Sequence, residues 1–224
     1  MEECNTVSTP MDKDVVFEKT DTKEVNKKSP YRELIGSLTY IASSTRPDIA
    51  HAVSVLDQFS ESHKDIHWTA AKRVLRYLKS TINYSICYRK GESEVLGYVD
   101  ADWGRCRLDR RSYTGYVFTY GRGPICWKLQ KQRTVALSTT EAEYMALTEA
   151  ATNAIYLKEF LEIELRHLPP ITIFNDNLGV QLLSKNAIVH PRTKHIDIRY
   201  HFIRDVLRTG TISVQHMKTE DMLA

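Results

Sequence analysis

Glu94–Trp103, "EVLGYVDADW", decides how the rest of the chain is read. It alternates as a β-strand and then closes on two acids, Asp100 and Asp102. Residues two apart in an extended strand share a face, so both carboxylates point the same way. A mostly apolar run that carries two acids in its last positions suggests acids with a task at a strand end.

Outward toward the C-terminus, residues 112–121, "SYTGYVFTYG", are again β-rich and end in glycine. Residues 123–138, "GPICWKLQKQRTVALS", continue the pattern after a Gly-Arg-Gly-Pro turn, which predicts a three-stranded antiparallel meander. A long helix is expected from about Thr139 to Arg166, then a strand over Ile171–Asn175 and a short helix from about Asn177 to Lys185. Another helix, from about Ile196 to Arg208, and the strand "TISVQHM" at residues 211–217 follow. After it Glu220 and Asp221 open what reads as a helix start, where negative charge is favoured. The order βββαβααβ predicts a mixed α/β fold.

Outward toward the N-terminus the texture is helical. "YRELIGSLTYIASSTRPDIAHAVSVLDQFS" is broken once at Arg46-Pro47, and Pro47 suits a first helical turn. "HWTAAKRVLRYLKST" puts Trp68, Ala71, Leu75 and Leu78 on one side and spreads Lys72, Arg73, Arg76 and Lys79 over the remainder. Three helices over residues 31–81 are expected. The four basic residues read equally well as a solvated face or as phosphate contacts. Residues 1–29 read as a polar tail or linker, residues 30–90 as the helical segment and residues 93–224 as the α/β domain.

The 224 residues, 42% of them apolar, are enough to bury real cores, and a net charge of +3 does not by itself announce a nucleic-acid binder. Cys4, Cys87, Cys106 and Cys126 lie far apart without a CxxC pair, which suits reduced thiols better than disulfides or zinc. The polar N-terminus is no secretory signal, and no apolar run approaches the ~18 residues of a membrane span. An intracellular chain, in cytoplasm or nucleus, with no membrane partner is expected.

The predicted elements sort the acids. Ser138 with Glu141 three residues on is a capping box. Glu143 shares the stripe of Leu147, Ala150, Ala154, Leu157 and Leu161, the face that should pack on the sheet, where a carboxylate is costly unless paired or metal-bound. Glu149 lies on the other side with Asn153 and Tyr156 and reads as solvated. Asp176 ends its strand where a helix begins, so taken alone it reads as an N-cap. Yet Asp100, Glu143 and Asp176 sit at element ends that can meet at one edge of a sheet. Clustered carboxylates repel unless cations neutralise them, and hard oxygen ligands select Mg²⁺ or Mn²⁺. Two such ions about 3.5–4 Å apart serve phosphodiester cleavage.

The stretches "GYVDADW", "DRRSYTGYVF", "ICWKLQKQRTVALSTTEAEYMAL", "FNDN" and "HPRTKHIDIRYHFIRD" resemble the ribonuclease H domain of Ty1/copia-type retrotransposon Pol polyproteins. "YRELIGSLTYIASSTRPDI" and "AAKRVLRYLKST" resemble the segment after the reverse-transcriptase core of the same polyproteins. The resemblance implies an RNase H-like mixed five-stranded sheet with flanking helices, preceded by a small helical segment. It implies cleavage of the RNA strand of RNA–DNA hybrids with two Mg²⁺ or Mn²⁺ ions, and the reverse-transcriptase core as an upstream partner. By position Asp100, Glu143 and Asp176 match the family's metal ligands, with Asp102 a weaker candidate. The family continues with Ala-Gly where this chain has "WGRCRL". Its fourth acid lies in an Ala-Asp pair shortly after a stretch like "TEDMLA", so the expectation is a cut chain with an impaired site, with Asp221 as an imperfect substitute. No Asp-Asp polymerase pair precedes Tyr31, so no polymerase activity is expected.

Arg192, Lys194, Arg199, Arg204 and Arg208, in "HPRTKHIDIRYHFIRDVLRTG", are the candidate nucleic-acid-binding residues beside an apolar stripe of Ile196, Tyr200, Ile203 and Leu207. His190, His195 and His201 match no zinc spacing. An integrase-like transferase would order its acids Asp, Asp, Glu, whereas this chain has Asp, Glu, Asp. A non-catalytic nucleic-acid-binding remnant is the alternative to the ribonuclease.

Overall fold

The computed structural model describes residues 3–12, 15, 17, 29–91, 94–165, 167–185 and 197–223. They form two compact units, Met1–Ile86 and Cys87–Ala224.

The first unit holds helices α1 (Tyr31–Ser44), α2 (Ala50–Asp57) and α3 (Asp65–Ser80). The break expected at Arg46-Pro47 is a 3-10 turn, Pro47–Ile49. There Arg46 forks onto Asp48 at 2.9 and 2.7 Å, and Tyr77 of α3 donates to the same carboxylate at 2.8 Å. The stripe that α3 buries is His67, Ala71, Val74 and Tyr77, about one residue round from the expected one. The reason is His67, which stacks on Phe59 with centroids 4.0 Å apart while its Nδ1 accepts the Lys64 N–H at 2.8 Å. Trp68 is only half-buried, with the Lys72 ammonium 5.7 Å over its ring.

The part of the expected tail that is described lies on α3. Phe17 is buried against Phe59 and His67. Lys79 donates to the Cys4 carbonyl, Arg76 to that of Asn5, and Arg73 to the Thr9 hydroxyl. Three of the four basic residues of α3 are thus engaged by residues 4–9 of the same unit.

The second unit is a five-stranded sheet in the order β3-β2-β1-β4-β5. The strands are β1 (Leu96–Ala101), β2 (Tyr113–Tyr120), β3 (Gly123–Lys131), β4 (Ile171–Asn175) and β5 (Ile212–His216). The expected meander is there, β1 to β3 being antiparallel, while β4 pairs with β1 and β5 with β4 in parallel. Parallel pairs need crossovers, and these are supplied by α4 (Thr139–Leu165), and by α5 (Leu178–Lys185) with α6 (Asp197–Arg208). The mixed α/β sheet with flanking helices is therefore as expected. Its core joins Val99, Phe118, Ile171 and Ile173 of the strands to Leu147, Ala150 and Ala154 of α4 and Ile203 of α6. Gly97 is required in β1, because a Cβ there would lie 2.6 Å from the Phe118 ring and 3.3 Å from Ile173. Among the described residues no helix is long and apolar enough to cross a membrane.

Candidate metal centre

The register of β1 on β4 pairs Leu96 with Thr172 and Tyr98 with Phe174. Continued two residues, it sets Asp100 opposite Asp176. α4 lies over β1, and its first turns bring Glu143 to the same strand ends. One carboxylate oxygen from each of Asp100, Glu143 and Asp176 lies within 4.8 Å of the others. Three residues that are distant in sequence are thus drawn to one sheet edge by two strand ends and a helix start.

Each supporting element is held by its own local chemistry. The Glu141 N–H donates to Ser138 Oγ at 3.1 Å, so Ser138 caps α4 as expected, while the Glu141 carboxylate accepts the Leu137 N–H at 2.8 Å, one residue before the partner that a capping box would give it. The N-cap of α5 is Asn177, whose Oδ1 accepts the N–H groups of Gly179 at 2.9 Å and Val180 at 3.3 Å. The cap expected at Asp176 is therefore one residue further on, and Asp176 is left for the cluster.

Asn175, fully buried, escaped the sequence reading. Its Nδ2 donates to Glu143 Oε2 at 2.9 Å and to the Val99 carbonyl at 3.1 Å, which fixes the glutamate against the end of β1. Thr219, in the 3-10 turn Thr219–Asp221 where a helix start was expected, donates to Asp176 Oδ2 at 2.6 Å. His216 Nε2 meets the Asp176 carbonyl at 3.1 Å. An acid-by-acid reading passes over amides and hydroxyls, and only the three-dimensional register places these.

Burial dominates the electrostatics. Glu143 is 5% exposed; burial first and the Asp100 charge second push its carboxyl up to about 9. Burial and then the Asp176 charge raise Asp100, although its hydrogen bond with Glu143 pulls the other way. Burial beside a second carboxylate thus favours the neutral form of Glu143. A divalent cation among the three oxygens would offset the cost of the charged form, and carboxylate oxygens are the donors that hard cations such as Mg²⁺ or Mn²⁺ take.

The other candidates sit elsewhere. Asp102 accepts the Tyr113 N–H at 2.6 Å and pins the start of β2. Asp221 is exposed in the turn and does not join the three. Glu149, expected to be solvated, accepts both hydrogen bonds of the Gln130 amide at 2.8 and 2.7 Å. On α6 Arg199 is half-buried, Arg204 reaches the Leu183 carbonyl at 3.5 Å, and Arg208 pairs with Asp205 at 2.9 Å. Arg192 and Lys194 lie outside the described residues.

With that geometry in hand, the relatives are informative. The chain is 43% identical over 194 residues to the Pol polyprotein of transposon TNT 1-94 from Nicotiana tabacum, matching 87% of this chain and 15% of the relative. It is 39% identical over 220 residues to that of transposon RE1 from Arabidopsis thaliana, matching 97% of this chain and 15% of the relative. The chain belongs to the Ty1/copia-type retrotransposon Pol polyproteins. It spans about 15% of the length of those two relatives. A protein named secreted RxLR effector protein 161, from Plasmopara viticola, is 48% identical over 132 residues, 58% of this Pol segment and 93% of that relative. No family model matches. Among solved structures, a ribonuclease H1 isolated from compost is similar with a TM-score of 0.43 and 16% identity, over 57% of this chain and 86% of that one.

Proposed function

We propose that the second unit is a two-metal ribonuclease H that cleaves the RNA strand of RNA–DNA hybrids, as part of a Pol polyprotein whose upstream partner is the reverse-transcriptase core. The meeting of Asp100, Glu143 and Asp176 within 4.8 Å carries this reading. The donor set fits a divalent cation: three carboxylate oxygens, one of them pushed toward protonation by its burial first and by its neighbour's charge second. Bound there, such ions would lower the pKa of a water and neutralise charge on the scissile phosphate. Asp100 and Asp176 supply charge from the two strand ends. Glu143 supplies it from the helix, oriented by the Asn175 amide. Thr219 holds Asp176 in place.

Among the described residues the cluster has three carboxylates, and Asp221 is not one of them. A three-carboxylate site holds its second ion more weakly, so impaired turnover is part of the proposal. The same observation favours the alternative, a domain that binds nucleic acid without cutting it. Incubation of a labelled RNA–DNA hybrid with the chain and Mg²⁺ separates the two. Slow cleavage that vanishes in Glu143→Gln supports the ribonuclease. Tight hybrid binding without any metal-dependent product supports the binder.

A further inference from the structure

The connection from β1 to β2, "DWGRCRLDRRS" over Asp102–Ser112, brings four arginines to the side of the carboxylates. Its backbone is closed on itself. The Cys106 N–H donates to the Arg111 carbonyl at 3.2 Å, and the Arg110 N–H to the Cys106 carbonyl at 2.8 Å. The Gly104 N–H donates to Ser112 Oγ at 3.0 Å, and the Cys106 side chain is buried beneath.

Both acids of the segment are already engaged. Asp102 pins Tyr113, and Asp109 takes Lys131 at 2.8 Å and Arg111 at 3.6 Å. Arg105, Arg107 and Arg110 stay exposed, and none has an ion-pair or side-chain hydrogen-bond partner among the described residues. Arg133 is also exposed and has no side-chain partner among the described residues, and it is set beside the loop by the neighbouring Gln132, whose N–H donates to the Ser112 carbonyl at 2.8 Å. Arg110 has φ 58, a left-handed conformation that non-glycine residues seldom adopt. Like charges gathered on a closed loop repel one another, and a polyanion removes that repulsion.

Position gives the cluster its meaning. The loop starts two residues after Asp100, and Trp103 Nε1 donates to the Ala136 carbonyl at 3.2 Å, on the segment that leads into α4 and Glu143. The arginines and the carboxylates therefore share one end of the sheet. We infer that Arg105, Arg107 and Arg110, with Arg133 beside them, hold the phosphate backbone of the duplex whose strand the carboxylates address. This rests on the ribonuclease reading and adds to it a substrate-contact surface apart from α6. Guanidinium groups suit it, since each can take a phosphate bidentately.

The test is fluorescence anisotropy of a labelled RNA–DNA hybrid titrated with the full chain in Ca²⁺, at several salt concentrations. The triple variant Arg105→Gln/Arg107→Gln/Arg110→Gln should bind about tenfold or more weakly at 0.1 M salt. Its plot of log K against log salt should be shallower by about two to three, at roughly 0.9 per lost phosphate contact. Arg89→Gln/Lys90→Gln, next to the turn at the far end of β2, should keep the parent slope. Mn²⁺ affinity checks the fold. If the triple variant also loses Mn²⁺, the single variants Arg105→Gln and Arg107→Gln replace it, each with a slope change of about one. Parent binding with an unchanged slope in the variants overturns this inference and leaves the ribonuclease reading standing. Absence of hybrid binding by the parent chain overturns both.

Discussion

At the residue scale, Asn175 contributes through its hold on Glu143. Outer partners of metal ligands typically matter by about 10- to 100-fold in affinity. Asn175→Ala is therefore expected to weaken Mn²⁺ binding by about that factor, as calorimetry would read. Nothing in "FNDN" separates this amide from a turn residue, because its two partners, Val99 and Glu143, are supplied by other elements. Asp176 and Asn177 are equally good caps by type, and only the start of α5 at Leu178 assigns the task to Asn177. Asp100 and Glu143 were legible for a different reason: a carboxylate at an apolar strand end or on an apolar stripe has a cost that sequence alone exposes. In the first unit His67 is 1% exposed, and burial lowers its pKa to about 4. The unfolded chain takes up this proton near pH 6.5 while the folded one refuses it, so stability is full above 6.5 and falls as the pH drops toward about 4. Hydrogen exchange of α1–α3 amides, corrected for intrinsic rates, should show protection lost across that window. In His67→Phe the pH slope should flatten.

At the element scale the strands and helices follow their periodicity closely, since β1, β2, β4 and α4 fall within the expected stretches. The expected third strand was too long. After Lys131 the chain turns away through Gln132, whose side-chain amide donates to Thr114 and to the Ala142 carbonyl, and a run of β-formers does not record that turn. The stripe of α3 was misread because hydropathy ranks His67 as polar, although a neutral imidazole stacked on Phe59 packs like an aromatic ring. The Ser138 cap of α4 was read correctly from its spacing, although the Glu141 carboxylate takes the Leu137 N–H in place of that of Ser138. Ser138→Ala should cost about 1 kcal/mol in urea unfolding, with Mn²⁺ affinity within about twofold of the parent. A larger loss of metal binding would give Ser138 a part in the site itself.

At the scale of the whole molecule, the three carboxylates all belong to Cys87–Ala224, while the helical unit has its own core of Tyr31, Ile35, Leu38 and Leu56. A ligand that binds only folded protein stabilises what it binds. Mn²⁺ is thus expected to raise hydrogen-exchange protection in β1, β4 and α4 and to leave α1–α3 unchanged. Uniform protection of both units would contradict a centre confined to one of them. The account turns on whether Asp100, Glu143 and Asp176 form one divalent-cation site. The direct measurement is an electron paramagnetic resonance titration of Mn²⁺ into the parent chain and into Glu143→Gln at pH 7.5. The account predicts saturable binding by the parent that weakens at least about tenfold in the variant. Equal binding by the two, or none by the parent, would contradict it.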